Sequence, residues 1–413
     1  MGWVVRIRVT AAGLGCAALM LAGCAAPGGG ADGAGRTSRA HRPSAAPLRP
    51  VPRGDGSRAE DDFNGDGHPD LVLDELVKRH RESHGDDAGI GVVYGSAHGP
   101  DPATRQLVSP GRYAAPSGGT LPAAFDAETT CDLDDDGFTD LLIGTDPPYD
   151  GIGRPPVPHQ ILFGGPHGLA GKAVKLRVPG RARAGNEWPD QPVCGDFDGD
   201  GSQDLVLTAS GSRISLLRGP FTRAGAPHAA GAPRPVPGTL LSRPLPAADA
   251  NGDGADDLVV RGKRSSLLLG GPLGPVRPGG AYTVARAWRD AGDVDGDGTA
   301  ELVADGTGRR VKVLERAGGA GGGAGAGSGA GAGSGAGAGT ARTVPVAGLP
   351  GSGSAETTVL ALTDLDGDRR ADLVVRTRRG DERDLITIHP GTRDGLRAKP
   401  TRTFSTAVFA GDR

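Results

Sequence analysis

Six short apolar runs punctuate the chain, each entered directly from a polar loop. They are Leu71-Val72-Leu73, Leu141-Leu142-Ile143, Leu205-Val206-Leu207, Leu258-Val259-Val260, Leu302-Val303-Ala304 and Leu373-Val374-Val375. Their hydrophobicity is continuous rather than alternating, which predicts strands buried on both faces. Further β-like runs follow each of them. In the third repeat these are Ile214-Ser215-Leu216-Leu217 and a weaker run around Leu240-Leu241. About four short runs per repeat, separated by turn-forming residues, describe a four-stranded antiparallel sheet used again and again.

The predicted fold class is therefore all-β. Sheets stacked face to face around an axis, as in a β-propeller, bury both faces of such strands, whereas a sandwich more often gives in/out alternation. Six repeats predict six four-stranded blades; seven follows if one blade lacks its loop. The first loop is preceded by a poor strand, Ser57-Arg58-Ala59-Glu60-Asp61, and the chain ends in Thr406-Ala407-Val408-Phe409-Ala410-Gly411-Asp412, which resembles the strand before a further loop. A C-terminal strand completing the first blade would close the ring and leave no open edge.

The polar loops share the form Asp-x-Asp/Asn-x-Asp-x-x-x-Asp/Glu and start at Asp62, Asp132, Asp196, Asp249, Asp293 and Asp364. Positions 1, 3, 5 and 9 are Asp62, Asn64, Asp66 and Asp70 in loop one, and Asp132, Asp134, Asp136 and Asp140 in loop two. Loop three has Asp196, Asp198, Asp200 and Asp204, and loop four Asp249, Asn251, Asp253 and Asp257. Loop five has Asp293, Asp295, Asp297 and Glu301, and loop six Asp364, Asp366, Asp368 and Asp372. Clustered hard oxygens suit Ca²⁺, which takes oxygen ligands at flexible geometry. The helix-loop-helix calcium site needs a Glu at position 12. Here that position is Leu73, Ile143, Leu207, Val260, Ala304 or Val375, and no amphipathic helix flanks the loops, so that site is excluded.

The copies differ. Position 6, where Gly permits a sharp turn, is Gly67, Gly137, Gly201, Gly254 and Gly298 but Arg369 in loop six. If the position demands positive φ, Arg369 costs roughly 1–2 kcal/mol and loop six is the weakest site. Asp135 replaces Gly at position 4 of loop two, adding charge with no obvious penalty; Glu301 has the longer arm but can still ligate.

Composition refines this picture. The 413 residues include 73 Gly and 34 Pro, which fit many strands joined by turns, and the net charge of -3 offers no electrostatic case for nucleic acid. Arg6 and Arg8 precede an apolar stretch from Val9 to Ala22, the pattern of an export signal over residues 1–23. Leu21-Ala22-Gly23-Cys24 resembles a bacterial lipobox, which implies lipidation of Cys24; ordinary cleavage near Ala25-Ala26 is the alternative. Residues 24–57 read as a flexible stalk, 58–413 as the propeller, and 317–339, almost pure Gly, Ala and Ser, as a disordered insertion. Export favours a bridge between Cys131 and Cys194. Against it, one lies one residue before its loop and the other two, so they point to opposite faces of their strands.

The loops, with segments such as Val92-Val93-Tyr94-Gly95-Ser96 and Ile161-Leu162-Phe163-Gly164-Gly165, resemble FG-GAP/VCBS repeats over about residues 58 to 413. The resemblance implies an integrin-α-like β-propeller with Ca²⁺ held by positions 1, 3, 5 and 9 and by the carbonyl at position 7.

No nucleophile elbow, phosphate-binding loop, zinc-protease helix or Cys-x-x-Cys pair occurs in the sequence. His80 and His84 flank Glu82 in a charged stretch that reads as an exposed loop. Arg53-Gly54-Asp55 and Arg379-Gly380-Asp381 are discounted as compositional. Trp188 and Trp288 read as packing residues before glycan platforms. The expectation is a non-enzymatic, monomeric calcium-binding surface lipoprotein. It acts as a binding or adhesion module for a protein or glycan ligand, meets the membrane only through its lipid, and does not bind nucleic acid. The alternatives are a lectin-like glycan binder, a secreted form, or a hydrolase built on the propeller.

Overall fold

The structure is a computed structural model that describes residues 47–413, apart from 75, 77–88, 147–158, 186–188, 239, 241–246, 248, 250, 262–264, 282–287, 299–300, 306–309, 316–339, 346–356, 380–381 and 412–413. Several expectations fall outside that set: the leader 1–23, Cys24, the stalk as far as residue 46, the 317–339 tract, His80 and His84, Trp188, and Gly380 and Asp381. Trp288 opens a strand, Trp288–Gly292.

Six antiparallel sheets follow one another along the described chain. Sheet one is Leu71–Leu73, Ile90–Val93 and Arg105–Val108; sheet two is Ala124–Cys131, Asp140–Asp146, Gln160–Leu162 and Val174–Lys175. Sheet three runs through Val193–Gly195, Asp204–Ala209, Arg213–Arg218 and Ala229–Ala230, with Arg234–Pro235 as a further pairing on its third strand. Sheet four is Leu258–Arg261, Ser265–Leu269 and Arg277–Ala281. Sheet five is Trp288–Gly292, Glu301–Asp305, Arg310–Glu315 and Thr340–Pro345; sheet six is Thr357–Thr363, Asp372–Arg379, Glu382–His389 and Arg402–Ser405. Every pairing joins chain neighbours except that of Arg234–Pro235, so the sheets are meanders built from short-range hairpins. Among the described residues no helix is long and apolar enough to cross a membrane.

In sheets two, three, five and six the acidic loop joins the first two strands. The residue before position 1 pairs with position 9: Cys131 with Asp140, Gly195 with Asp204, Gly292 with Glu301, Thr363 with Asp372. Each loop is thus a closed turn at one end of its sheet. The apolar run that follows is buried, Leu141, Leu142 and Ile143 or Leu205, Val206 and Leu207 being at most 1% exposed.

The core is a series of apolar layers between successive sheets. Phe63, Ile90, Val92, Phe125, Leu141 and Ile143 join sheets one and two. Leu142, Ile161, Phe163, Leu205 and Leu217 join two and three, and Val206, Ile214, Leu258 and Leu268 join three and four. Val303, Val313, Val359, Leu373 and Val375 join five and six. A fifth layer joins the last sheet to the first: Leu71, Leu73, Val93 and Leu107 pack with Val374, Ile386, Ile388, Phe404 and Phe409.

That last layer corrects one expectation. The C-terminal segment does not add a strand to sheet one; Thr406–Gly411 is a 3₁₀ helix after the fourth strand of sheet six. Ala407 N–H bonds to Ser405 Oγ, turning the chain away from an extended path. The helix thereby drops Phe409 against Gly91, whose missing Cβ leaves room for the ring. Sheets six and one meet through side chains, not through a shared backbone ladder.

Two further differences concern the second-repeat cysteine and the stalk. Cys131 and Cys194 form a disulfide, with Cα atoms 6.5 Å apart, that staples sheet two to sheet three. Their one-residue offset is what permits it. Stacked sheets meet front face to back face, so equivalent positions point the same way around the stack, and positions displaced by one point at each other. The stalk boundary at 57 also moves upstream. Arg49 N–H bonds to Ala103 O (2.7 Å), Ser57 N–H to Gly137 O (2.8 Å), and Val51 packs on the first apolar layer. This strap lacks large apolar residues, so composition reads it as disordered. It is held instead by backbone hydrogen bonds and by Gly54, where a Cβ would collide with the backbone of Gly65.

Candidate metal centres

The six loops share one internal architecture. The position 1 carboxylate is an internal cap: Asp62 Oδ1 accepts the amides of Gly65 (2.8 Å) and Asp66 (3.2 Å), and Oδ2 that of Gly67 (2.7 Å). Asp196, Asp249, Asp293 and Asp364 repeat the pattern, and Asp132 accepts Asp136 N–H (3.1 Å) and Gly137 N–H (2.8 Å). Wrapping five residues around one carboxylate forces left-handed backbone at two places. Position 6 has φ between 84° and 92° at the five glycines and 68° at Arg369. Position 4 is also left-handed, and Asp135 there has φ 57°, so its substitution for Gly carries a backbone cost that spacing alone does not reveal.

Position 9 is a buried clip. Asp70 Oδ2 accepts Phe63 N–H (2.9 Å) from position 2, and Oδ1 accepts Gly95 N–H (2.7 Å), just beyond the strand Ile90–Val93. Asp140 does the same with Leu133 and Gly164, and Asp372 with Leu365 and Gly391. Gly219 and Gly270 donate to Asp204 and Asp257. Each of these glycines lies against the position 8 carbonyl, leaving no space for a Cβ. The Tyr94-Gly95 and Phe163-Gly164 segments are therefore the partners of position 9, a signal present in the sequence but legible only once the two are seen together.

Neighbouring loops are also tied directly. The position 1 carbonyls of Asp62, Asp196 and Asp293 accept the amides of Thr139 (3.0 Å), Asp256 (2.7 Å) and Ala371 (2.7 Å) in the next loop. Gly165, Phe221 and Gly271 donate to Phe63, Leu133 and Phe197, the buried position 2 residues of the preceding sheet's loop.

Oxygens gather inside these turns. Carboxylate oxygens of Asp132, Asp134 and Asp136 lie within 4.8 Å of one another, as do those of Asp196, Asp198 and Asp204, of Asp293, Asp295 and Asp297, and of Asp364, Asp366 and Asp372. Loops one and four carry Asn64 and Asn251 at position 3, so they hold fewer acids there, but each amide still offers one carbonyl oxygen as a ligand. Within the acidic loops, four side-chain oxygens are buried with no hydrogen-bond partner: Asn64 Oδ1, Asp134 Oδ1, Asp198 Oδ1 and Asp204 Oδ2. All four belong to positions 3 or 9. Buried acceptors are otherwise satisfied in proteins, so orphans at the same loop positions mark where a cation fits.

The electrostatics agree. Burial first, then neighbouring carboxylates, pushes Asp140 up to about 8 and Glu301 and Asp372 up to about 7. Asp204 rises to about 7 and Asp134 to about 6, also led by burial, and Asp70 rises well above the usual carboxylate range. Packed together without a cation, these groups resist full ionisation.

Arginines reach several loops, which spacing did not foretell. Arg218 pairs with Asp198, Arg223 with Asp134 and Asp136, Arg277 with Asp253 (2.9 Å) and Arg370 with Asp368 (2.5 Å). At loop one the strap takes part instead: Ser57 Oγ donates to Asp62 Oδ2 (2.6 Å), and Asn64 Nδ2 donates to Pro52 O (3.0 Å). Among the described residues one further group lies outside the loops, where Glu128, His159 and Asp190 bring ligand atoms within 4.8 Å of one another.

Among curated proteins none matches the chain. Residues 196–260, which run from the third acidic loop through the later strands of sheet three to the fourth loop, match the family model described as an FG-GAP-like repeat, and this supports the repeat family for the chain.

Proposed function

We propose that the chain is a calcium-loaded, six-bladed β-propeller displayed outside the cell on a lipid anchor at Cys24, a non-catalytic binding or adhesion module for a protein or glycan ligand. The FG-GAP-like repeat at 196–260 supports a propeller-type binding module. The apolar layer between sheets six and one supports closure of the ring, and six sheets, each with its own acidic loop, support six blades.

The observation that carries the calcium reading is the set of orphaned buried oxygens at Asn64, Asp134, Asp198 and Asp204. The side chains at positions 1, 3, 5 and 9 would hold the ion, whose charge would neutralise carboxylates that otherwise repel. In the cap of position 1 and the clip of position 9, this chain's own residues hold the loop shape in advance. In loops one, two, three, four and six the clip also fastens the loop to its own sheet, through Gly95, Gly164, Gly219, Gly270 and Gly391. Calcium here is structural: it strengthens the rim from which a ligand surface is presented.

The test is thermal unfolding of the exported chain in chelator and in added Ca²⁺. A site filled at about 1,000 times its dissociation constant adds about 4 kcal/mol, so a substantial rise in melting temperature is expected. A melting curve indifferent to both additions overturns the reading.

A further inference from the structure

We propose that Arg223 sets the metal affinity of loop two by acting as a built-in competing cation; this rests on the calcium reading above. Arg223 lies in the Thr222–Gly225 turn beyond the third strand of sheet three, whereas the loop belongs to sheet two. Its Nε pairs with Asp134 Oδ2 and its Nη2 with Asp136 Oδ2, so one guanidinium spans two of the metal-ligand positions.

The placement is built rather than incidental. Phe163 backs the guanidinium, whose Cζ stands 4.6 Å from the ring centroid. Phe221 N–H bonds to Leu133 O (2.6 Å), fixing the turn over the loop, and the Cys131–Cys194 disulfide staples the same two sheets just upstream. Asp134 divides its two oxygens: Oδ2 is on Arg223, and Oδ1 is buried without a partner. Loop three shows the same division at Asp198, where Arg218 holds Oδ2 and Oδ1 has no partner. Arg218, however, sends its other nitrogen to Pro272 O (2.6 Å). Arg223 spends both on the loop.

Loop two carries five carboxylates, Asp132, Asp134, Asp135, Asp136 and Asp140, more than any other loop. On charge alone it would bind a divalent cation most tightly. A fixed positive charge about 6 Å from such an ion, in surroundings close to water, weakens its binding by roughly tenfold. Loop two therefore fills later than its charge predicts, and filling it frees the guanidinium from Asp136.

Calcium titration calorimetry on the exported chain tests this, using R223Q, R223K and each in a D134N/D136N background. R223Q is expected to tighten one site roughly tenfold and leave the others unchanged. R223K, keeping the charge, stays close to wild type, and R223Q has no effect once Asp134 and Asp136 are neutralised. Unchanged or weakened affinity in R223Q overturns the proposal, and so does tightening that survives in the D134N/D136N background. Equal melting temperatures of wild type and R223Q in chelator establish that both are folded. Absence of any calcium heat in the wild type would bring down the calcium reading itself. Calcium binding with one site lost in D134N/D136N, but none altered by R223Q, would bring down only the role of Arg223.

Discussion

Adding a single methyl group at Gly91 should destabilise the protein, and removing the Phe409 ring should abolish that penalty. A Cβ on Gly91 would stand 2.7 Å from Phe409 Cζ, 2.9 Å from Cε2 and 3.0 Å from Cε1, closer than real contacts allow. The ring is 3% exposed and packed among Leu73, Val93, Ile386 and Phe404, so it has little room to withdraw. Overpacking of this kind costs about 1–3 kcal/mol. Truncating a buried Phe costs about 3–5 kcal/mol. In the double variant Gly91→Ala/Phe409→Ala the new methyl enters vacated space, so the two costs should fall short of their sum by about 1–3 kcal/mol. Guanidinium unfolding followed by circular dichroism, at fixed calcium, measures all four stabilities on one scale. Costs that add to within about 0.5 kcal/mol, or a neutral Gly91→Ala, would show that the C-terminal ring is not seated on sheet one. The contact between the last sheet and the first would then be wrong.

Two more predictions follow from the loops and the staple. Arg369→Gly relieves a left-handed backbone penalty of roughly 1–2 kcal/mol and gives back about 0.5–1 kcal/mol in unfolded-state entropy, so it should stabilise by about 0.5–1 kcal/mol. A lowered melting temperature would refute the conformational account. Reducing the Cys131–Cys194 bridge, which closes a separation of 63 residues, should cost about 4 kcal/mol in denaturant unfolding. Cys131→Ala/Cys194→Ala should behave as the reduced form does, and coincident curves for oxidised and reduced protein would count against the bridge.

Much of the site is legible along the chain. The ligand-type residues recur at fixed spacing because one nine-residue turn is used six times, and a turn is a local object. Position 6 can be read as left-handed for the same reason: a run of glycines broken by Arg369 marks the constraint. Position 4 escapes notice because Asp135 is also a good turn residue, and its polarity hides its backbone conformation. The partner of position 9 is harder still, since Gly95 lies 25 residues beyond Asp70 with a variable hairpin between them.

The sequence by itself determined the all-β class, the six acidic loops and the buried strands behind them, because hydrogen bonding within a hairpin and side-chain periodicity are set by near neighbours. Tertiary structure alone decided which surfaces meet. It laid residues 49–57 across loops one and two and turned Thr406–Gly411 into a 3₁₀ helix whose Phe409 needs the absent side chain of Gly91. It faced Cys131 towards Cys194 and carried Arg223 onto Asp134 and Asp136, 87 residues away from the latter. These contacts depend on how one sheet stacks on the next. That stacking comes from shape and packing summed over whole faces, and no local pattern encodes it.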